Sequence, residues 1–449
     1  MRAVAFFLVG WFAPLIAHAK AEALFVVIAD QHSAYDRTAQ FVAHVERVKA
    51  ETPGVPLAVL VNGDSLELGN VVAQRSGGEI DFAMFAALAR LAPTVVNLGN
   101  HEPDLHAVPE IVERLRGAGV IVIGNLRDRA SGELFAPAAT GLRLGATDVV
   151  VAGVTTDQLS QYRAAVRPAL DLAAPAVWAK EKFPVLLGAP SVAHAAKIVL
   201  SHAGLRLDRG MFPHVPDGTL FAGAHDHALF VQRLGRTVYF HSGSWNGHFS
   251  LVRLERDAAG AAHWTVEQQT MRASDPANGE LEKRIREINA RHLTADDLAP
   301  VGRLPRELSR AEAARLVAAT VRAAAGVDAA FIGNTTFGDG LPAGDVSRVA
   351  LNACVRFDGT ICVAEVSGER LRALLARANQ GPDTPFAERE GESLFAVGPE
   401  RIETGKTYRM ATTDWGMKNR GRYFGAEDLA FVERPELRLK AVVAEALSK

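Results

Sequence analysis

Eight residues that could bind metals or move protons each follow an apolar run of the sequence. They are Asp30, His32, Asp64, Asn100, His101, His202, His225 and His227. Carboxylates, an amide oxygen and imidazoles form a mixed oxygen and nitrogen set, which suits Zn²⁺, Mn²⁺ or iron better than Ca²⁺. The set is too large for one tetrahedral site and about right for two ions that share a bridging carboxylate. The pattern therefore predicts a binuclear metal centre.

Two pairs within this set have the same spacing. Asp30 and His32 are two residues apart, and so are His225 and His227. In a strand this spacing places both side chains of a pair on one face, so we expect each pair to converge on one centre. A single pair of this kind is more typical of a surface or helix-capping position. Because five polar clusters each follow an apolar run, we interpret them as parts of one site.

The segment Gly99-Asn100-His101-Glu102-Pro103-Asp104 follows an apolar run that predicts a buried strand. Gly99 allows a sharp turn, and ligands bind at the carboxyl ends of strands in α/β sheets. Asn100 can offer a carbonyl oxygen to a metal. His101 can donate a hydrogen bond or a proton, and Asp104 can orient its ring. Since adjacent residues rarely point into the same site, we expect the pair of His101 and Asp104 to be catalytic rather than metal-binding.

The elements that must position these residues repeat one unit, which is a continuous apolar run, a polar cluster and a helix. The predicted strands lie at residues 23–29, 57–61, 93–98, 120–123, 148–154, 196–200, 219–222, 238–240 and 249–254, and the predicted helices at 38–50, 81–91 and 109–116. Continuous apolar runs indicate strands that are buried on both faces, which is typical of an α/β layered domain. After residue 275 the pattern changes. Residues 276–291 predict a connecting helix, and residues 301–449 mix helices (310–325 and 368–378) with short strands.

Composition excludes several functional classes. The chain has 449 residues, of which 48% are hydrophobic and 22% charged, and its formal net charge is −2. This length suggests two or three domains. The charge gives no electrostatic basis for binding a nucleic-acid polymer or an anionic membrane. No run after the N-terminal segment is long enough to span a membrane, and we expect a monomer whose partner is a small molecule.

The first nineteen residues predict a secretory signal peptide. Arg2 supplies a positive charge, residues 3–16 form an apolar run, and Ala17-His18-Ala19 is a small-x-small cleavage site. We therefore expect cleavage after Ala19 and a periplasmic or secreted mature protein.

The sequence contains two cysteines, Cys354 and Cys362. Both flanks of the intervening segment look like strands, and a hairpin that turns at Asp358-Gly359 would bring the two thiols together. Export would permit a disulfide between them. Two separate buried thiols are the equal alternative.

The motifs resemble those of a known family. Asp30-x-His32, Gly63-Asp64, Gly99-Asn100-His101-Glu102, His202 and Gly223-x-His225-x-His227 match, in order, the motifs of the calcineurin-like metallophosphoesterases. Over nearly the whole mature chain the sequence resembles the bacterial periplasmic 5′-nucleotidase and UDP-sugar hydrolase family. The resemblance implies a four-layer α/β/β/α sandwich at residues 20–275, a linker helix at 276–300 and a smaller α+β substrate-binding domain at 301–449.

The resemblance also implies a site and a reaction. One divalent ion would be held by Asp30, His32 and His227, the other by Asn100, His202 and His225, and Asp64 would bridge them. The ions could be Mn, Zn, Mg, Co or Fe. The implied reaction is hydrolysis of a small phosphate monoester, with 5′-nucleotides as the first candidate, by in-line attack of a metal-bound hydroxide. His101 would donate to the transition-state oxygens and Asp104 would fix its orientation.

The C-terminal part departs from the family pattern at its substrate contacts. Phe337 stands where the family has an arginine, and residues 419–423 lack the aspartate of the corresponding family signature. The remaining candidates for substrate contacts are Phe357, Trp415, Tyr423, Arg356, Arg420 and Arg422. Core packing is the alternative role for each aromatic residue. Three other functions therefore stay open: a phosphodiesterase or UDP-sugar hydrolase, a phosphatase for non-nucleotide esters, and a binding protein without catalysis.

Overall fold

Two six-stranded sheets form the N-terminal part of the computed structural model, which describes residues 21–381 and 383–449. The predicted signal peptide lies outside these residues. The strand order in the first sheet is Ala262–Thr270, His248–Arg256, Ala23–Ile28, Leu57–Asn62, Thr94–Asn97 and Ile121–Ile123. The order in the second sheet is Leu229–Leu234, Thr237–Ser242, Leu220–Gly223, Ala196–His202, Thr147–Thr155 and Ala139–Leu144. The central strands of each sheet run parallel, so their carboxyl ends lie along one edge.

The two sheets pack face to face because their strands are apolar on both sides. The shared core includes Phe25, Leu60, Ile198, Leu220 and Phe240, all of them fully buried. Helices cover the outer faces of both sheets. They are Thr38–Glu51, Val71–Ser76, Glu79–Leu91 and Val108–Gly117 on the first sheet, and Pro175–Leu186 and Leu205–Met211 on the second. This arrangement confirms the predicted four-layer α/β/β/α sandwich.

The helix Gly279–His292 extends the helical layer on the first sheet. Asn278 caps it, because its side-chain oxygen accepts a hydrogen bond from the backbone N–H of Leu281 at 2.9 Å. Leu281, Ile285 and Ile288 are buried and join the core on this side of the first sheet. The predicted connecting helix therefore forms, and one face of it packs against the first domain.

A smaller α+β unit follows this helix, as predicted. Its five-stranded sheet has the order Leu394–Val397, Ala329–Gly333, Thr407–Thr413, Thr360–Ser367 and Val432–Arg438. Its helices are Ala295–Leu298, Arg310–Ala325, Arg348–Cys354, Gly368–Arg377, Asp414–Lys418, Arg420–Phe424 and Leu439–Leu447. The C-terminal unit also contains a short strand pair, Pro300–Leu304 with Gly344–Ser347. A second short pair, Arg127–Asp128 with Leu170–Asp171, lies in the N-terminal part. Among the described helices, none is both long and apolar enough to cross a lipid bilayer.

The predicted hairpin between the two cysteines is wrong. Cys354 ends the helix Arg348–Cys354, and only Cys362 lies in a strand. The helix forms because the Ser347 hydroxyl accepts a hydrogen bond from the backbone N–H of Ala350 at 3.2 Å, which caps its first turn. Both cysteines are free and buried, so the structure has two separate thiols rather than a disulfide.

Candidate active site

The seven predicted metal ligands gather where the carboxyl ends of the two sheets meet. They are Asp30, His32, Asp64 and Asn100 from the first sheet and His202, His225 and His227 from the second, and all seven are buried. Each follows or ends a parallel strand, which is the edge where α/β sheets bind ligands. The structure thus brings together every residue that the sequence predicts as a ligand.

A left-handed backbone conformation turns most of these ligands inward. Positive φ angles occur at Asp30 (51°), His32 (51°), Asp64 (53°), His225 (79°) and His227 (55°). The strands end before the two pairs, at Ile28 and Gly223, so the prediction that strand alternation aligns each pair is wrong. Asp30 and His32 converge because of a tight loop instead, whereas His225 and His227 do not share one centre, because each belongs to a different group of ligand atoms. A non-glycine residue in this conformation costs on the order of 1–3 kcal/mol, and such residues cluster at functional sites.

Asp30, His32 and His227 form the first group of candidate ligand atoms. The Nε2 atoms of His32 and His227 lie 2.9 Å apart. Asp30 Oδ1 lies 3.9 Å from each of these two nitrogens. Three ligand atoms within 4.8 Å of one another can share one ion.

Asp64, His202 and His225 form the second group. His202 Nε2 lies 2.9 Å from Asp64 Oδ2. On the other side of the ring, Nδ1–H donates to the carbonyl oxygen of Asn62 at 2.7 Å, which directs Nε2 toward the site. Asn100 lines one cavity together with Asp64 and His225, and its side-chain N–H donates to the main-chain carbonyl of Gln161 at 3.3 Å. Its carbonyl oxygen has no hydrogen-bond partner.

Asp64 connects the two groups. Its carboxylate lies within 4.8 Å of a ring nitrogen of His32 as well as of His202 and His225. The arrangement is therefore able to hold two ions with Asp64 between them.

Glu102 fixes the position of Asp64. The sequence prediction missed this role, although Glu102 lies within the segment of residues 99–104 that we singled out. Its carboxylate accepts hydrogen bonds from the backbone N–H groups of Asp64 (2.9 Å), Ser65 (2.7 Å) and Gly99 (2.6 Å). A Cβ on Gly99 would lie 2.4 Å from Asp64 Oδ1. Gly99 has no left-handed φ, so it is needed for this close approach and not for the sharp turn that we predicted.

Burial and the neighbouring carboxylates set the charges of the site. Burial lowers the pKa of His225 and of His227 well below the usual range, so these rings are neutral and have lone pairs available. Burial also lowers the pKa of His202, but the Asp64 carboxylate outweighs it and raises this pKa to about 10. Burial raises the pKa of Asp30 well above its usual range. Asp64 therefore favours a positive charge beside it, whereas His225 and His227 are neutral imidazoles that can bind a metal ion.

His101 and Asp104 form the predicted pair. His101 Nδ1 lies 2.8 Å from Asp104 Oδ2, and the backbone N–H of His101 donates to Asp64 Oδ1 at 2.8 Å. Although burial lowers the pKa of His101, the carboxylates of Asp104 and Asp64 raise it well above its usual value. A ring nitrogen of His101 lies within 4.8 Å of ligand atoms of His32 and Asp64. The pair thus places a hydrogen-bond donor beside the predicted ions.

A buried wall behind His32 includes a residue from the C-terminal domain. The ring of Trp245 stacks on His32 with centroids 4.4 Å apart, and its Nε1 lies 3.3 Å from His227 Nδ1. Glu67 Oε2 lies 3.4 Å from His32 Nδ1 and accepts a hydrogen bond from Arg356 Nη2 at 2.7 Å. Arg356 also lies 4.8 Å from the Trp245 ring centroid. Sequence analysis missed Glu67 and predicted a different contact for Arg356.

A cavity of about 420 Å³ lies between the metal-site residues and the C-terminal domain. Phe357 and Trp415, two of the predicted substrate contacts, line it, and the centroid of the Phe357 ring lies 6.3 Å from that of His101. Tyr423 does not line it, since its side chain is buried in the core of the second domain. Phe337, at the family's arginine position, is likewise a core residue.

The three predicted cationic contacts already have partners. Arg356 is paired with Glu67, as described above. Arg420 donates to two main-chain carbonyl oxygens, and Arg422 Nη2 lies 2.8 Å from the carboxylate of Glu392. Burial raises the pKa of Glu392 to about 7, although Arg422 lowers it. Glu392 lines the cavity, and sequence analysis missed it because no local motif marks it.

The second domain also contacts the loop that carries two of the ligands. The Asn334 side-chain N–H donates to the carbonyl oxygen of Asp226, between His225 and His227, at 2.9 Å. At the same interface Arg37 forms an ion pair with Asp339 at 3.0 Å. The C-terminal domain therefore supports the site as well as closing the cavity.

Comparison with known proteins agrees with the fold and the residue pattern. Residues 23–229 match the model of the calcineurin-like phosphoesterases, and residues 292–393 match that of the 5′-nucleotidase C-terminal domain. No curated protein sequence matches the chain.

Several solved structures resemble the chain over nearly its full length. A 5′-nucleotidase precursor from Thermus thermophilus is 16% identical, with 95% of this chain and 96% of that chain covered and a TM-score of 0.64. The sulfate thiohydrolase SoxB of the same organism is 17% identical, with 95% and 94% covered and a TM-score of 0.65. A 5′-nucleotidase from Candida albicans is 11% identical, with 95% and 98% covered and a TM-score of 0.62. At these identities the likeness shows the fold alone. With both family models matched, the chain belongs to the calcineurin-like phosphoesterases that carry a 5′-nucleotidase C-terminal domain.

Proposed function

We propose that this protein is an exported two-metal phosphomonoesterase whose first substrate class is the 5′-nucleotides. Membership of the family makes it a metal-dependent phosphoric ester hydrolase. What we propose beyond this is that the protein binds two ions, acts on 5′-nucleotides and is exported. One observation carries it: two groups of carboxylate and imidazole ligand atoms lie at the carboxyl ends of both sheets, and Asp64 of the second group is also within 4.8 Å of His32 of the first.

The residues fit a pair of divalent ions. Asp30, His32 and His227 would hold one ion and Asn100, His202 and His225 the other, with Asp64 between them. Buried ligand atoms of Asn100 and His225 have no hydrogen-bond partner. Buried polar atoms are normally satisfied, so these atoms are available for an ion. When bound, the ions would neutralise charge on a phosphoryl group and make water a stronger nucleophile.

The protein's own residues would orient the substrate and stabilise the transition state. Asp104 accepts the hydrogen bond from His101 Nδ1–H, which leaves Nε2–H of His101 to donate to a phosphoryl oxygen. Such a donor, held in place before the reaction, typically contributes about two to three powers of ten to the rate. The ring of Phe357, beside His101, and that of Trp415 would contact the leaving group in the cavity. The predicted signal peptide at residues 1–19 supports export.

A second candidate is a phosphatase for esters other than nucleotides. The observation that favours it is the pairing of Arg356 with Glu67 and of Arg422 with Glu392. Because a carboxylate neutralises each of these guanidinium groups, they attract an anionic substrate less strongly. A phosphodiesterase or UDP-sugar hydrolase would carry a further anionic group into the cavity, so the same pairing argues against that alternative.

The test is phosphate release by the purified mature protein, with Mn²⁺ or Zn²⁺ added, from 5′-AMP and from p-nitrophenyl phosphate. We expect activity on both esters and a preference for 5′-AMP. Equal activity would favour the second candidate. The variant Asp64→Asn should be inactive while its circular dichroism is unchanged, and the surface variant Asp217→Asn should keep wild-type activity. Activity in Asp64→Asn equal to that of the control would refute the two-metal mechanism.

A further inference from the structure

Glu392, a residue of the C-terminal domain, reaches the second group of metal ligands. It precedes the strand Leu394–Val397 and lies on the segment that follows the helix Gly368–Arg377. Its side chain is only 4% exposed, and its Oε1 lies 3.7 Å from His225 Nε2. Together with Asp226, these two residues offer ligand atoms within 4.8 Å of one another. A carboxylate from the second domain is thus part of the metal-site surroundings.

The neighbourhood of Glu392 holds this carboxylate in place. Oε1 accepts a hydrogen bond from Gln161 Nε2 at 3.1 Å and lies 2.8 Å from Arg422 Nη2 in an ion pair. The preceding residue is Gly391, and a Cβ there would lie 2.5 Å from Asp226 Oδ2. Since a larger residue would collide with Asp226, glycine permits the segment to come this close. One hydrogen bond, one ion pair and a close backbone approach therefore fix the position of the carboxylate.

Several atoms at this place lack partners. Asn100 Oδ1 and both ring nitrogens of His225 are buried without a hydrogen bond, and so is Glu392 Oε2, although the Tyr423 hydroxyl lies near the Glu392 carboxylate. More than nine in ten buried polar groups in native proteins are hydrogen-bonded, so a cluster of unpaired ones requires an explanation. A carboxylate oxygen, an amide oxygen and an imidazole nitrogen all present lone pairs. Such a cluster is suited to a cation rather than to another hydrogen-bond acceptor.

We propose that Glu392 is a further oxygen ligand of the ion that Asn100, His202 and His225 would hold. This inference rests on the proposed function, because it assumes the second ion of the pair. Oε1 would keep its ion pair with Arg422 and its hydrogen bond from Gln161, while Oε2 binds the ion. The C-terminal domain then supplies a direct ligand, and loading of this ion links the two domains.

The experiment is calorimetric titration of metal-free protein with Mn²⁺. The wild type should bind two equivalents. Glu392→Gln keeps the size of the side chain but removes the anionic ligand, and one of the two equivalents should bind at least tenfold more weakly, since even residues that only support a ligand change metal affinity by about 10–100-fold. The control is Glu388→Gln, an exposed glutamate on the same segment, which should match the wild type.

A second variant separates ligation from charge pairing. Glu392→Asp keeps the negative charge near Arg422 but withdraws the carboxylate by one methylene group, so it should show the same tenfold loss at one site. Wild-type affinity in either Glu392→Gln or Glu392→Asp would overturn the assignment. A wild type that binds fewer than two equivalents would instead refute the two-metal proposal. Circular dichroism of each metal-free variant verifies its fold, and if Glu392→Gln does not fold, Glu392→Asp decides alone.

Discussion

The ion pair of Glu67 and Arg356 should be among the most costly to break in this protein. The two side chains are 1% and 3% exposed and lie 2.7 Å apart, one in each domain. At an effective dielectric constant of about 20, charges at this distance attract by about 6 kcal/mol, which is opposed by the loss of hydration. Removing one partner of a buried pair leaves an unpaired charge and typically costs about 3–5 kcal/mol. We expect Arg356→Met to lose about this amount of unfolding free energy.

The assay is urea unfolding of metal-free protein at pH 7, followed by circular dichroism. The matched control is Arg438→Met, which breaks the exposed pair with Asp358, also in the second domain and at 2.8 Å. This pair should contribute less than about 1 kcal/mol because water screens it. The double variant Arg356→Met with Glu67→Gln should recover part of the loss, since no buried charge remains unpaired.

The pKa of Glu67 adds a pH dependence with a definite sign. Burial raises this pKa, but Arg356 and His32 outweigh burial and lower it from 4.5 to about 2. A lowered carboxylate pKa stabilises the fold above pH 4.5, and the stabilisation is lost as the pH falls toward 2. The difference between wild type and Arg356→Met should therefore shrink on acidification. A loss at pH 7 no larger than that of Arg438→Met would refute this reasoning and would return Arg356 to its predicted role as a substrate contact.

Three further outcomes follow from the structure. His101→Gln should lower kcat by about two to three powers of ten while both equivalents of metal still bind; unchanged kcat would remove His101 from the mechanism. Phe357→Ala should raise KM for 5′-AMP and change KM for p-nitrophenyl phosphate little, because Phe357 is 43% exposed and lines the cavity rather than packing in the core. Equal changes in KM for both esters would contradict a contact with the leaving group. Cys354 and Cys362 are buried, and burial raises the pKa of Cys354 to about 12, so a thiol reagent should modify two groups per chain only after unfolding. No reactive thiol in denaturant would instead reveal a disulfide.

The sequence was informative where local rules agree with the tertiary structure. The predicted helix at residues 310–325 forms with the same bounds, because Ser309 and Glu312 make a capping box and Gly326 ends it in a left-handed conformation. The parallel strands were predictable for a similar reason, since runs apolar on both faces suit only a doubly covered sheet. The positions of the ligands followed, because each stands at the end of such a run.

The sequence was less informative where the contact comes from a distant segment. The inward turn of Asp30 and His32 depends on left-handed loops, and residue spacing alone suggested a strand. Glu67 and Glu392 carry no local signal, because their partners Arg356 and Arg422 are contributed by another part of the chain. The predicted hairpin at the cysteines was wrong for a local reason, the helix cap at Ser347.

The most direct test of the central claim is the anomalous diffraction of crystals grown with Mn²⁺. The proposed mechanism predicts two peaks about 3.5–4 Å apart, one on each side of the Asp64 carboxylate. One peak should lie against Asp30, His32 and His227 and the other against Asn100, His202 and His225. A single peak at Asp64, or two peaks that do not share it, would contradict the two-metal site.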